Sequence, residues 1–236
     1  MKTHHAAVEP LPVVQEHWGA VGAMSLCVAL LIAAEFMPVS LLTPIARDLG
    51  ASDGQAGLAI SISGLFAVVA SLLVTRVCAH HERRHVLMVL ALVMLLSLIL
   101  IALSPNFALL MLARALLGVV VGGFWALATA TLMRLVAPDS VPRALGLMYT
   151  GNAVATAFAA PLGSYLGGII GWRGVFWLLT PLVVLNLVWM AVSLPSMRSE
   201  RRVTQALGLL KRPNVAMGML GVMLTFAGAF CAFTYF

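Results

Sequence analysis

The sequence predicts an all-α integral membrane protein, and three observations carry that expectation. Hydrophobic residues make up 62% of the chain and charged residues 9%, against about 45–50% and about 25% in a soluble domain. Mean hydropathy is +1.04. Apolar runs recur at roughly 18–44, 55–78, 86–104, 107–133, 143–170, 174–194 and 213–236, each close to the roughly 20 residues that cross a bilayer. Lipid offers no water to unpaired backbone groups, and the runs are too long for barrel strands, so each is predicted as a helix.

The first run contains "LLIAAEFMPVSLLTP", an apolar stretch interrupted by Glu35 and Pro38. It is much longer than the apolar region of a signal peptide and is read as a true span. Between the second and third runs lies the basic loop "TRVCAHHERRH". The fourth carries "RALLGVVVGG", with Arg114, Gly118 and Gly122, and the fifth "PLGSYLGG", with Gly163 and Gly167. Both glycine pairs have the spacing that lets membrane helices approach closely. Short connections make the first six spans antiparallel neighbours in sequence order. Residues 1–17 form a tail, 18–194 a six-helix bundle, 195–212 a charged linker and 213–236 a seventh helix that begins a second half. A lone helix after a six-helix half suggests a piece of a longer protein, the alternative being a chain that ends there.

Orientation follows from the basic residues. With the amino terminus inside, Lys2, Arg76, Arg83, Arg84, Arg134, Arg143, Arg198, Arg201, Arg202, Lys211 and Arg212 lie on the cytoplasmic side, and Arg47 and Arg173 outside. The pI of about 9.9 therefore reflects topology, and nucleic acid is excluded as a partner because no basic helix or aromatic platform accompanies the charge.

Two fixed charges fall inside predicted spans, Glu35 and Arg114. A rise of 1.5 Å per residue puts them about 13 Å and about 10 Å from the outer face, so they are expected to pair directly or through a bridging water. Burial favours a neutral carboxyl and a guanidinium favours a charged one, so a change of helix arrangement could move a proton on or off. The rival reading is an inert, register-fixing ion pair. Pro38 frees the carbonyl of Ala34 and permits a bend one turn from Glu35.

Trp125, Thr129, Thr131, Tyr149, Asn152, Thr156 and Asn186 also lie in spans. Each needs a partner, and Trp125, Thr129, Tyr149 and Asn152 are candidates to bind a cargo in a pocket of mixed character. Cys27, Cys78 and Cys231 are too scattered for a disulfide framework, and the histidines lack a further ligand set, so no metal is expected. No phosphate-binding loop or catalytic constellation appears, and neither a cofactor nor an enzymatic activity is expected.

These residues resemble the major facilitator superfamily, and within it the drug:proton antiporters. "RALLGVVVG" resembles a fourth-helix motif, with Arg114 and Gly118 in its places. "AAPLGSYLGGIIGWRGVF" resembles the antiporter motif of the fifth helix and the entry to the sixth, with Pro161, Gly163, Gly167, Trp172, Arg173 and Phe176 in theirs. "EFMPVSLLTPIARDLG" resembles bacterial purine ribonucleoside efflux pumps. The resemblance implies a twelve-helix transporter of two halves, each a 3+3 inverted repeat, with Glu35 coupling proton entry to export and Pro161 shaping the interface between halves. One loop departs from the family pattern. Thr75 stands at its first glycine, Ala79 at its aspartate and Glu82 at its second glycine, while Arg83 and Arg84 are kept. The charge latch of that loop is thus altered or rebuilt around Glu82.

The expected function is proton-coupled efflux of a small solute across the bacterial inner membrane, with purine ribonucleosides such as inosine as cargo. Sugar or amphipathic drug efflux and a non-transporting membrane fragment are the alternatives. Expected partners are lipid, the solute, protons and an absent carboxyl-terminal half.

Overall fold

The computed structural model describes residues 16–78, 81–197 and 212–235, with the backbone alone at 53, 56, 75–78 and 230–235. Most of the expected tail and linker, and the Thr75 and Ala79 side chains, lie outside these residues. The chain divides into two units, Met1–Ser199 and Glu200–Phe236. The first contains α1 (Trp18–Ser40), α2 (Leu42–Asp48), α3 (Asp53–Cys78), α4 (Arg83–Leu103), α5 (Phe107–Leu132), a 3-10 turn (Pro138–Ser140) and α6 (Val141–Ser193). The second contains α7 (Pro213–Tyr235). Residues Trp18–Ser40, Gly57–Val74, Arg83–Leu103, Phe107–Leu132 and Pro138–Ser193 are long and apolar enough to cross a membrane, and Pro213–Ala229 is a shorter apolar helix.

Two boundaries differ from the sequence reading. The first span stops at Ser40 and restarts at Leu42 as α2. Pro44 is the cause, since its ring would clash with the carbonyl of Ser40 in a continuous helix but fits the first turn of a new one. The fifth and sixth spans are joined without a loop: α6 breaks only at Gly171, where φ is +72° and ψ 162°. That left-handed φ is open to glycine and strained for other residues.

Packing follows from these turns. A Cβ on Gly151 would meet Ser25 and Ala29, on Gly163 it would meet Met37 and Ser40, and on Gly167 it would meet Leu41. The first arm of α6, 141–170, therefore runs parallel to α1. Gly22 lies under the Trp189 ring and Gly19 beside Ser193, so the second arm, 172–193, returns along α1 in the opposite sense. A second parallel seam joins α5 to α3, where a Cβ on Gly118 would overlap the backbone oxygen of Ser63 and one on Gly122 that of Ala67. The two seams are counterparts when the first three spans are exchanged with the last three, as an inverted repeat requires. Phe124, Phe176, Met24, Leu31, Leu87 and Met94 fill the fully buried core between the helices. Leu58, Leu65, Val68 and Leu72 of α3 are exposed, a row of large apolar side chains of the kind that marks a membrane or partner surface.

Polar contacts tie the connections together at each end. Near the start of α1, the backbone N–H of His17 donates to Leu135 O at 2.8 Å. Beside it, the Glu16 carboxylate accepts from Trp18 Nε1 at 2.8 Å and from the N–H of Ala137 at 3.1 Å. Hydrogen bonds, led by the Ser140 hydroxyl, hold the Glu16 carboxyl below its usual range. At the opposite end Arg173 pairs with Asp48, its Nη2 donates to Ser104 O at 2.7 Å, and its guanidinium lies 4.1 Å from the Trp172 ring centroid. One arginine thus touches all three connections at that end.

Candidate functional site

The expected pair forms. Arg114 Nη2 donates to Glu35 Oε1 at 2.9 Å, joining α5 to α1. The arginine side chain is 1% exposed and the glutamate 19%. Arg114 also donates from Nε to Ala59 O at 3.0 Å and from Nη1 to Ala34 O at 3.3 Å. Pro38, four residues after Ala34, has no N–H to offer that carbonyl, so the guanidinium supplies the missing donor. The planar fork suits this geometry, since it reaches a carboxylate on one helix and carbonyls on two, which a lysine ammonium does not reproduce.

The second carboxylate oxygen has its own partner, Ser63, whose hydroxyl donates to Glu35 Oε2 at 3.0 Å. Ser63 is buried, and Gly118 on α5 lies directly against its backbone. Glu35, Arg114, Ser63 and the carbonyls of Ala34 and Ala59 therefore form one polar cluster where α1, α3 and α5 meet. A small pocket next to it is walled by Pro38, Leu42, Ile45, Ile60, Leu110 and Phe176. Its apolar lining keeps the dielectric low and the electrostatic interaction strong.

The expected cargo residues gather elsewhere. The Trp125 and Tyr149 rings stack with centroids 6.1 Å apart and an interplanar angle of 28°, joining α5 to the first arm of α6. Thr129 follows Trp125 by one turn, and Asn152 follows Tyr149 by nearly one. Tyr149 is exposed and the other three half-buried. Eleven residues separate Arg114 from Trp125, which is about 16 Å of rise and only about 20° of rotation. The two sites share a stripe of α5 without touching.

A model of the Major Facilitator Superfamily matches residues 24–236. The chain belongs to the Major Facilitator Superfamily. Among curated relatives, the "Transcription regulatory protein OpdE" of Pseudomonas aeruginosa is 49% identical over 92% of this chain and 56% of its own length. The "Purine ribonucleoside efflux pump NepI" of Salmonella paratyphi B is 42% identical over 94% of this chain and 57% of its own. The Escherichia coli O6:K15:H31 pump of the same name is 43% identical over the same shares. The chain thus spans a little over half the length of these relatives. The fold matches a bacterial homologue of the human lysosomal transporter Spinster, with a TM-score of 0.66 at 18% identity over 77% of this chain and 43% of that one. It also matches a POT family transporter, with a TM-score of 0.63 at 15% identity over 90% and 47%.

Family membership agrees with the five described helices that are long and apolar enough to cross a membrane. The start of α4 is anchored within the bundle. Arg84 Nη2 donates to Ala191 O at 2.7 Å near the end of α6, where a cation complements the helix dipole. The N–H of Arg83 donates to Met197 O at 3.2 Å, and Glu82 accepts from Ser196 at 3.0 Å. Asn186 is buried, with Nδ2 on the Met190 sulfur at 3.5 Å. Two features escaped the sequence reading. Ser63 is an ordinary serine in an apolar span, 28 residues from Glu35, and no pattern marks it. The contacts of Arg173 with Asp48 and Ser104 required the helix ends to be placed first.

Proposed function

We propose that this chain is the amino-terminal six-helix bundle, with the first helix of a second half, of a proton-driven exporter in the bacterial inner membrane. The observation that carries the reading is the Glu35–Arg114 pair, a carboxylate held in an apolar bundle by a guanidinium that also grips two helix carbonyls. Protonation removes the charge that Arg114 balances, and the arginine then depends on Ala34 and Ala59 alone. A buried cation without its counter-ion is costly, so the bundle is driven toward an arrangement that rehydrates it or returns the proton. The Arg114–Trp125 separation makes the coupling conformational.

The proposed cargo is a purine ribonucleoside. The NepI relatives are named for that cargo, and the Trp125–Tyr149 stack with Thr129 and Asn152 offers an aromatic face, an amide and a hydroxyl suited to a base and a sugar. The bias of Lys and Arg toward one set of connections supports an amino terminus in the cytoplasm. In this reading 1–17 is the tail, 18–194 the bundle, 195–212 the linker and 213–236 the opening of the second half. Pro161 shapes the arm of α6 whose Gly163 and Gly167 pack against α1 and Leu41.

The test is inosine uptake into inverted vesicles, the direction that corresponds to export from the cell, comparing this chain, the chain joined to a second half, and the joined chain with Glu35→Gln. Export driven by a proton gradient in the joined chain, and lost in Glu35→Gln at equal membrane level, is expected. Export that survives Glu35→Gln makes the pair structural. Failure with inosine and success with sugars or drugs changes the cargo and keeps the mechanism. A second reading, in transcriptional control, has the name of the Pseudomonas relative behind it; a reporter that responds to the chain without any transport favours it.

A further inference from the structure

Among the described residues Glu35 makes polar contact with two side chains, Arg114 from α5 at Oε1 and Ser63 from α3 at Oε2. They differ in what they can accept. A guanidinium has donors only, so a proton arriving on Oε1 would set an O–H against an N–H. A serine hydroxyl has one donor and two acceptor sites and rotates to suit its partner. The two oxygens of Glu35 are therefore not equivalent as proton acceptors.

We propose that Glu35 takes its proton on Oε2 and that the Ser63 hydroxyl turns from donor to acceptor to receive it, passing its own O–H to the carbonyl of Ala59. The inference rests on the reading of Glu35 as the proton carrier and adds a positioning residue to it. One proton enters, one O–H bond forms at Oε2, and no electrons change hands. Ala59 lies four residues before Ser63, where a helical serine hydroxyl finds a carbonyl. That oxygen already accepts Arg114 Nε at 3.0 Å and the helical N–H of Ser63, which fill its two lone pairs. The incoming hydroxyl therefore competes with Arg114, and protonation loosens the arginine from α3 as well as from Glu35. The backbone of Ser63 has no slack to absorb the change, because Gly118 packs directly on it. The event at the carboxyl is thus delivered to the α3–α5 seam.

Infrared difference spectroscopy of the purified chain in lipid, stepped through pH, tests this. Glu35→Gln is expected to remove a carboxyl C=O band. In the unmodified chain that band is lowered because its O–H is donated to Ser63. Ser63→Ala raises its frequency, Ser63→Cys, with a weakly accepting sulfur, raises it in the same sense, and Ser63→Thr restores it. A band that Glu35→Gln removes but whose frequency no Ser63 variant moves overturns the role of Ser63 and leaves Glu35 as the carrier. If Glu35→Gln removes no band at any pH, the proton-carrier reading falls and this inference with it.

Discussion

Arg114 Nη1 donates to the carbonyl of Ala34, the oxygen that Pro38 leaves without its helical donor. A helix defect and a buried cation thereby satisfy each other, and α1 is held by its backbone as well as by Glu35. Replacing Pro38 by alanine restores an N–H to that carbonyl and makes it compete with the arginine. Pro38→Ala is expected to raise thermal stability in detergent, by less than about 3 kcal/mol because Arg114 already meets part of the deficit, and to slow proton-coupled export. No change in either quantity would show that the freed carbonyl is not used.

The Glu35–Arg114 contact itself is open to a double-mutant cycle. Arg114→Ala leaves a buried carboxylate without its partner and is expected to cost about 3–5 kcal/mol. Glu35→Gln leaves the more deeply buried Arg114 without its counter-ion and is expected to cost a comparable amount, although the amide oxygen still accepts from Ser63. The double variant should fall short of the sum by about 1–3 kcal/mol in detergent unfolding, and Arg114→Lys should recover little because an ammonium cannot reach Glu35, Ala34 and Ala59 together. Additive losses would mean that the two residues do not act on each other.

Gly118 and Gly122 predict a contrast with Gly146. A Cβ at either of the first two would overlap the backbone oxygen of Ser63 or Ala67, whereas one at Gly146 meets nothing within 4 Å. Gly118→Ala and Gly122→Ala should each lose about 1–3 kcal/mol by forcing α3 from α5. Gly146→Ala should gain about 0.5–1 kcal/mol by stiffening a helix interior. Thermal unfolding of the three variants side by side checks this, and equal effects would remove the special status of the α3–α5 seam.

The seam also shows how far the sequence could be read. Composition and run length placed the apolar helices because lipid forces every backbone group into a helix. Glu35 and Arg114 stood out because charge in a span is rare, and a common depth was enough to pair them. Ser63 was invisible, since its importance comes from α3 lying parallel to α5, a relation between helices far apart in the chain. The break at Leu41 was hidden for a different reason: Pro44 looked like the end of a span until its clash with Ser40 was weighed. The GxxxG spacing suggested close packing at Gly118 and Gly163 without naming the partners, which topology alone supplies.

Asp48 predicts a pH dependence at the end of the bundle where α2 finishes. Its hydrogen bond to Arg173, the main cause, and another from Trp172 Nε1 at 3.2 Å hold its carboxyl below the ordinary value of 3.8. A carboxyl depressed in the folded state adds stability that is complete above the unfolded value and is lost as pH falls through the folded one. The unfolding temperature should therefore drop as pH is lowered below 3.8, more steeply in the unmodified chain than in Asp48→Asn, which has no charge to lose there. Because the pair is open to solvent, added salt should shrink the difference between the two chains. Parallel acid limbs for the two would mean that Arg173 holds the connections through Ser104 and Trp172 rather than through charge.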